Sequence, residues 1–254
     1  MTGDKDVEPN QESSIGAPPP RANCGYCYAE GKIFIYGGHG GLGYNRCAYG
    51  DIHSFDIDSE TWMKYEQKGT YTPPPAGRGG NSIFVCNGKL YSYGGWNSES
   101  QYEILSVYDF ATCEWQEYDD IVTAKPRWNH SSLLVEAIPS WKFFIFGGES
   151  SKFNEGDPRS FGEIVNSVAV LDLQSFKWEV IKPESEENIP SPREYSAMIN
   201  QQNQLIVFGG WNRGWLADMY GLNVSKIVGP PYAITKIEPA LGQLSGGDVV
   251  TIKG

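Results

Sequence analysis

The sequence predicts an all-β protein built from four copies of one four-stranded unit. Three observations predict it. A β-branched and aromatic run ends in two glycines four times, at Lys32–Gly38, Lys89–Gly95, Lys142–Gly148 and Gln204–Gly210. Each copy opens with proline and arginine, at Pro20-Arg21, Pro75-Ala-Gly-Arg78, Pro126-Arg127 and Pro192-Arg193, and the arginine lies 16 residues before the first glycine in three copies (21 to 37, 78 to 94, 193 to 209) and 20 in the other (127 to 147). After each glycine pair come a polar loop and a second alternating run, and three copies then close on a tryptophan, Trp62, Trp115 or Trp178. The glycine pairs recur at intervals of 57, 53 and 62 (37 to 94, 94 to 147, 147 to 209). A period near 50 made of four short strands is that of a propeller blade. No helical periodicity competes with it.

Taken in order, residues 1–17 are acidic and polar and read as a disordered leader. Pro18, Pro19 and Pro20 give a stiff entry to the repeats, which occupy residues 18–228. The second strand of each copy is apolar throughout, as expected of a strand covered on both faces. The glycine pairs Gly37-Gly38, Gly94-Gly95, Gly147-Gly148 and Gly209-Gly210 point to backbone angles or close approaches that a side chain forbids. Four extra residues in the third copy fall within Glu136–Trp141, a longer hairpin turn. The third strands are Asp51–Asp56, Ile104–Asp109, Val165–Asp172 and Leu216–Leu222, and the recurring aspartates read as strand-end and turn hydrogen-bond acceptors. The tryptophans are expected to fill the wedge between neighbouring blades. The fourth copy has no tryptophan strand after Val224 and is predicted to leave an open edge, which must be paired or covered.

The order of Pro-Arg, Gly-Gly, Tyr/Leu-Asp and Trp resembles kelch repeats over residues 18–224. The resemblance implies a β-propeller, commonly six-bladed, that holds other proteins through its loops. The position three residues after each arginine, often histidine in that family, holds Cys24, Asn81, His130 and Ser196, which favours structural filling over metal binding. Residues 229–254 resemble the opening of an IPT/TIG immunoglobulin-like domain, with Ile237-Glu-Pro239, Ser245-Gly-Gly247 and Val250-Thr-Ile-Lys-Gly254 in order. A sandwich of that type needs about 100 residues, so the polypeptide is expected to continue, and further blades could follow. Propeller followed by IPT/TIG is similar to the N-terminal tail of ciliary outer-arm dynein heavy chains. That implies an assembly or docking role within a microtubule motor complex in the axoneme, beside other dynein heavy, intermediate or light chains. A cytosolic kelch adaptor, such as a ubiquitin-ligase substrate receptor, is the alternative. A galactose-oxidase-like enzyme is a third, and would need a Tyr/Cys/His copper constellation that the sequence does not support.

Composition narrows the partners. With 20 basic and 31 acidic residues the net charge is −11, which argues against nucleic acid and anionic membranes. No apolar run of about 18 residues or more occurs, and Met1–Gln11 lacks the apolar core of a secretory signal. Five cysteines at scattered positions read as reduced thiols of a cytoplasmic protein. Cys24-Gly-Tyr-Cys27 has no second pair, and on a strand its thiols face opposite ways. Neither a phosphate-binding loop nor a catalytic spacing is present, so no catalytic residue, cofactor or metal is assigned. Protein partners are left, to be met through the loops after each glycine pair or at the open blade edge. The side chains there of the types enriched in binding hot spots are Tyr44, Arg46, Trp96, Tyr102, Phe153, Arg159, Phe161, Trp211, Arg213 and Trp215. The repeat arginines Arg21, Arg78, Arg127 and Arg193 are expected to brace the loops internally.

Overall fold

The structure, a computed structural model, describes residues 16–41, 47–70, 74–97, 101–102, 104–118, 126–150, 162–182, 188–229, 236–238 and 251–253. Each predicted copy is an antiparallel meander. Blade 1 runs β1 (Gly25–Ala29), β2 (Lys32–Tyr36), β3 (Ile52–Asp56) and β4 (Thr61–Lys64). Blade 2 runs β5 (Ser82–Cys86), β6 (Lys89–Tyr93), β7 (Leu105–Asp109) and β8 (Glu114–Tyr118). Blade 3 runs β9 (Ser131–Val135), β10 (Lys142–Phe146), β11 (Val168–Asp172) and β12 (Lys177–Ile181). Blade 4 has three strands, β13 (Ala197–Gln201), β14 (Gln204–Trp211) and β15 (Trp215–Asn223). The chain then turns into α1 (Ser225–Val228). Within the predicted IPT/TIG segment, β16 (Lys236–Glu238) pairs with β17 (Thr251–Lys253); apart from these strands and Gly229, that segment lies outside the described residues. Gly16 and Ala17, placed in the leader by composition, are described, and the Gly16 carbonyl accepts a hydrogen bond from His53 Nδ1 at 2.7 Å.

Hairpin chemistry sets the strand spacing. Two-residue turns close β1–β2, β5–β6 and β13–β14. Both turn residues have positive φ, as at Asn87 (51°) and Gly88 (69°). The third copy bridges β9 to β10 with residues 136–141, which absorbs the four-residue excess seen in the sequence. At the start of the outer turn, Asp109 Oδ1 accepts from the backbone N–H of Ala111 and Thr112, and Asp172 Oδ1 from those of Gln174 and Ser175.

The core lies between blades. Phe34, Tyr36 and Ile52 of blade 1 meet Ile83, Val85, Leu90, Tyr108 and Trp115 of blade 2. Phe84, Tyr91, Tyr93, Leu105 and Val107 meet Phe143, Ile145, Ala169, Leu171 and Trp178 of blade 3. Val135, Phe144 and Val170 meet Leu205 of blade 4, with Val224 and Val228 of the α1 turn. Fully burying one of the Val, Leu, Ile or Phe side chains contributes ~1.5–3 kcal/mol.

Two expectations need correction. β6 and β10 are covered on both faces, but β2 and β14 are covered on one: Ile33 is 37% exposed and Phe208 48%. The reason is position, since these strands belong to the end blades. Trp115 and Trp178 fill wedges between blades, whereas Trp62 packs against Phe55 of its own blade, at ring centroids 5.2 Å apart, on the flank away from blade 2. On that flank Tyr26 and Tyr28 are exposed; on the opposite flank of blade 4, Ile199, Phe208 and Met219 are exposed.

Repeated hydrogen bonds form the joints. Two residues after each repeat arginine, Asn23, Gly80, Asn129 and Tyr195 adopt positive φ, between 55° and 69°. Around the axis, Gly80 N–H donates to the Asn23 carbonyl (2.8 Å), Asn129 N–H to Gly80 (2.9 Å) and Tyr195 N–H to Asn129 (2.9 Å). The second glycine of each of the first three pairs donates to the arginine carbonyl of the next blade: Gly38 to Arg78 (2.7 Å), Gly95 to Arg127 (3.0 Å) and Gly148 to Arg193 (2.8 Å). A Cβ on Gly37, Gly94 or Gly147 would sit 2.4 Å from that carbonyl oxygen, so the first glycine is what lets the next blade in.

Candidate functional site at the propeller mouth

One end of the propeller gathers the loops. There, the residue after each glycine pair exchanges two backbone hydrogen bonds with the residue after that blade's arginine. The pairs are His39 with Ala22 (both 2.8 Å), Trp96 with Gly79 (2.8 and 2.9 Å), Glu149 with Trp128 (2.9 and 3.0 Å) and Trp211 with Glu194 (2.8 and 3.1 Å). The joint geometry thus lines up His39, Trp96, Glu149 and Trp211 beside Trp128, Glu194 and Tyr195. His39 and Trp96 meet edge to face, with ring centroids 5.8 Å apart.

The repeat arginines brace this end from below. Arg21 Nη1 donates to the Gly37 carbonyl (2.9 Å) and to Asp51 Oδ1 (2.6 Å), and Nη2 to Asp51 Oδ2 (3.1 Å). Arg127 donates to the Gly147 carbonyl (3.1 Å) and to Ser167 Oγ (3.1 Å). Arg193 donates to the Gly209 carbonyl (3.0 Å) and to both carboxylate oxygens of Asp218. Burial opposes ionisation of Asp51, but hydrogen bonds from His53 and Arg21, with the arginine's charge, outweigh it and hold the carboxyl well below its usual range. Hydrogen bonding from Arg193 lowers Asp218 in the same direction.

Arg78 departs from the pattern. The residue just before the third strand, Asp51 in blade 1 and Ser167 in blade 3, is Ile104 in blade 2. Arg78 is 1% exposed, its Nη1 has no hydrogen-bond partner among the described residues, and its guanidinium lies 3.7 Å from the centre of the Tyr102 ring. Tyr102, one of the ten predicted contact residues, therefore packs on the brace; its hydroxyl accepts from Asn97 Nδ2 at 2.7 Å.

Trp96 is 39% exposed, Trp215 85%, and Arg213 is exposed, while Trp211 is half-buried. Tyr44, Arg46, Phe153, Arg159 and Phe161 lie outside the described residues. Sequence reasoning missed Trp128, Glu194 and Tyr195. The available signal was position: Trp128 and Glu194 come directly after a repeat arginine, where they pair with the residue that follows Gly-Gly, and Tyr195 comes one later, on the axial ladder.

The mouth is aromatic and acidic. Burial raises the Glu149 carboxyl above its usual range, and the nearby Glu194 charge adds to the rise. Burial raises Glu194 too, against the 2.7 Å hydrogen bond that Asn129 Nδ2 donates to it. Asn129 Oδ1 in turn accepts from Asn23 Nδ2 at 2.8 Å. Carboxylates flanked by indole and phenol rings suit a cationic or hydrogen-bond-donating protein side chain. Burial pushes the Cys27 thiol up to about 12, away from reactivity. Among the described residues no three His, Cys, Asp or Glu side chains gather as metal ligands would.

A rigid propeller that presents variable aromatic loops at one end is a protein-interaction scaffold. The chain belongs to the kelch-repeat family: residues 7–148 and 70–229 match the KLHDC2/KLHL20/DRC7 Kelch-repeats domain. It is 29% identical over 249 residues to the dynein alpha chain of the flagellar outer arm of Chlamydomonas reinhardtii, covering 94% of this chain and 5% of the relative. It is 24% identical over 301 residues to acyl-CoA-binding domain-containing protein 4 of Arabidopsis thaliana, covering 89% of this chain and 42% of that protein. An N-(sulfonatooxy)prop-2-enimidothioate sulfolyase of Thlaspi arvense is 30% identical over 160 residues, covering 61% of this chain and 41% of the enzyme. The chain thus spans less than half the length of each of these relatives.

Proposed function

We propose that this chain is the propeller of the N-terminal tail of an axonemal outer-arm dynein heavy chain and that it docks other subunits through the mouth. The observation that carries the reading is the match to a flagellar outer-arm dynein chain along 94% of the sequence. The aromatic and acidic mouth supplies the contact surface. Residues 229–254 would then open an IPT/TIG domain, and the motor parts would belong to polypeptide beyond it. No reaction is assigned to the propeller. Antibodies against the chain, used on protein extracted from isolated axonemes of the source organism, test this. Recovery in a polypeptide many times larger than 28.2 kDa that co-purifies with outer-arm subunits is expected. Recovery only near 28.2 kDa, away from axonemes, would overturn it. That outcome would favour the second reading, a cytosolic kelch adaptor, which rests on the family match across the propeller alone.

A further inference from the structure

Among the described residues, β15 is the edge strand of blade 4. In blades 1 to 3 a fourth strand lies on this side; in blade 4 the chain turns away into α1. The fourth strands of blades 2 and 3 also carry the tryptophans of the wedges. Trp115 pairs opposite Tyr108 of its own third strand and lies 5.3 Å, ring to ring, from Tyr36 of blade 1. Trp178 pairs opposite Leu171 and lies 4.6 Å from Tyr93 of blade 2. Tyr36 and Tyr93 are the last residues of their second strands, immediately before Gly-Gly; in blade 3 that residue is Phe146. The residue that corresponds to Tyr108 and Leu171 in blade 4 is Leu222, one before the last of β15.

Phe146 and Leu222 line one pocket between blades 3 and 4, together with Val168, Leu205, Val207 and Tyr220. Its volume is about 500 Å³. The pocket therefore has, on both walls, the residues that hold an indole at the two other junctions. We infer that β15 and this pocket bind an extended segment of a partner polypeptide carrying a tryptophan. The segment's backbone adds to the sheet along the nine residues of β15, and its indole enters against Phe146. An edge strand supplies unpaired N–H and C=O groups for the first contact; the apolar pocket selects the side chain. The net charge of −11 disfavours a strongly acidic segment. This deepens the interaction-scaffold reading by naming a partner class, at a pocket whose lining includes none of His39, Trp96, Glu149 and Trp211 of the mouth.

The test uses the whole chain and a synthetic peptide copying residues 174–182, which contain Trp178, beside the same peptide with Trp178→Ala. Saturable one-to-one binding is expected by calorimetry. The alanine peptide should bind about ten-fold more weakly or worse, and the amide resonances of residues 215–223 should shift. Leu222→Lys, with folding checked by circular dichroism, should abolish the difference between the peptides. Equal binding of the two peptides, or none at about 1 mM, would overturn the inference, as would self-association of the chain through β15 that the peptide does not displace. Trp96→Ala should leave peptide binding intact, so failure here and failure of the mouth are read separately.

Discussion

Replacing Ile104 with aspartate supplies Arg78 with the carboxylate that Arg21 finds in Asp51 and Arg193 in Asp218. Arg78 is almost wholly buried and one of its terminal nitrogens has no acceptor. A hydrogen bond to a charged group contributes ~1.5–3 kcal/mol net. Against this, the half-buried Ile104 gives up ~1 kcal/mol of apolar burial. The balance is a gain of ~1 kcal/mol, which raises Tm by about 2–4 °C for a domain of this size. Ile104→Asn loses the same apolar contact without gaining charge, and should melt below the parent. The new carboxyl should be held below its ordinary range, as Asp51 and Asp218 are. Its contribution is then present above the unfolded value near 3.9 and is lost as pH falls through the folded value. Differential scanning fluorimetry of the aspartate and asparagine variants from pH 7 to pH 3 reads both effects, with the background acids cancelling between them. An aspartate variant that melts at or below the asparagine one at pH 7 would refute the claim that Arg78 Nη1 is short of an acceptor.

Other outcomes follow from the joints and the mouth. Gly147→Ala should cost several kcal/mol, because its Cβ meets the Arg193 carbonyl at 2.4 Å. Gly209→Ala, whose nearest contact is 3.2 Å, should cost only the ~1–3 kcal/mol of an unfavourable backbone; equal urea midpoints for the two would contradict the joint. His130 is buried, with Arg127 adding repulsion, and its pKa falls to about 3. Its contribution is full above its unfolded value near 6.5 and is lost toward pH 3, by up to ~1.4 kcal/mol per pH unit. Glu149 and Glu194, both raised, oppose this by favouring the fold at lower pH. His130→Gln should therefore flatten or reverse the fall in Tm between pH 6.5 and 4.5, and an unchanged slope would count against it. Trp215→Ala, at a residue 85% exposed, should leave Tm within about 2 °C; a larger drop would mean that the ring packs on the fold.

The blades were legible because their signals are local: a hydrophobic strand, a glycine pair and an arginine at fixed distance. What covers each blade was not. Ile33 and Phe208 stand in runs as apolar as those of β6 and β10, and only the neighbouring sheet decides whether such a side chain is buried. The mouth was half legible. Trp96, Trp211 and Trp215 could be read from their loops, but Trp128 and Glu194 come beside the Gly-Gly residues through backbone bonds spanning 17 residues or more. Those bonds require the folded glycine geometry. The departure at Ile104 was visible in the alignment of copies, yet it acquires meaning only when Arg78 is seen to be buried.

The axial ladder through Asn23, Gly80, Asn129 and Tyr195 makes every joint interchangeable with the next. Such an arc can gain or lose length only in whole repeats, because a residue inserted within one of the strands between an arginine and its glycine pair would shift the register of two joints at once. Small insertions must instead be carried by the hairpin tips, at the end away from the mouth, where residues 136–141 already carry one. The fold thus separates two kinds of heritable change: blade number is altered in steps of fifty-odd residues, while the loops around the mouth vary freely without touching the frame that aims them.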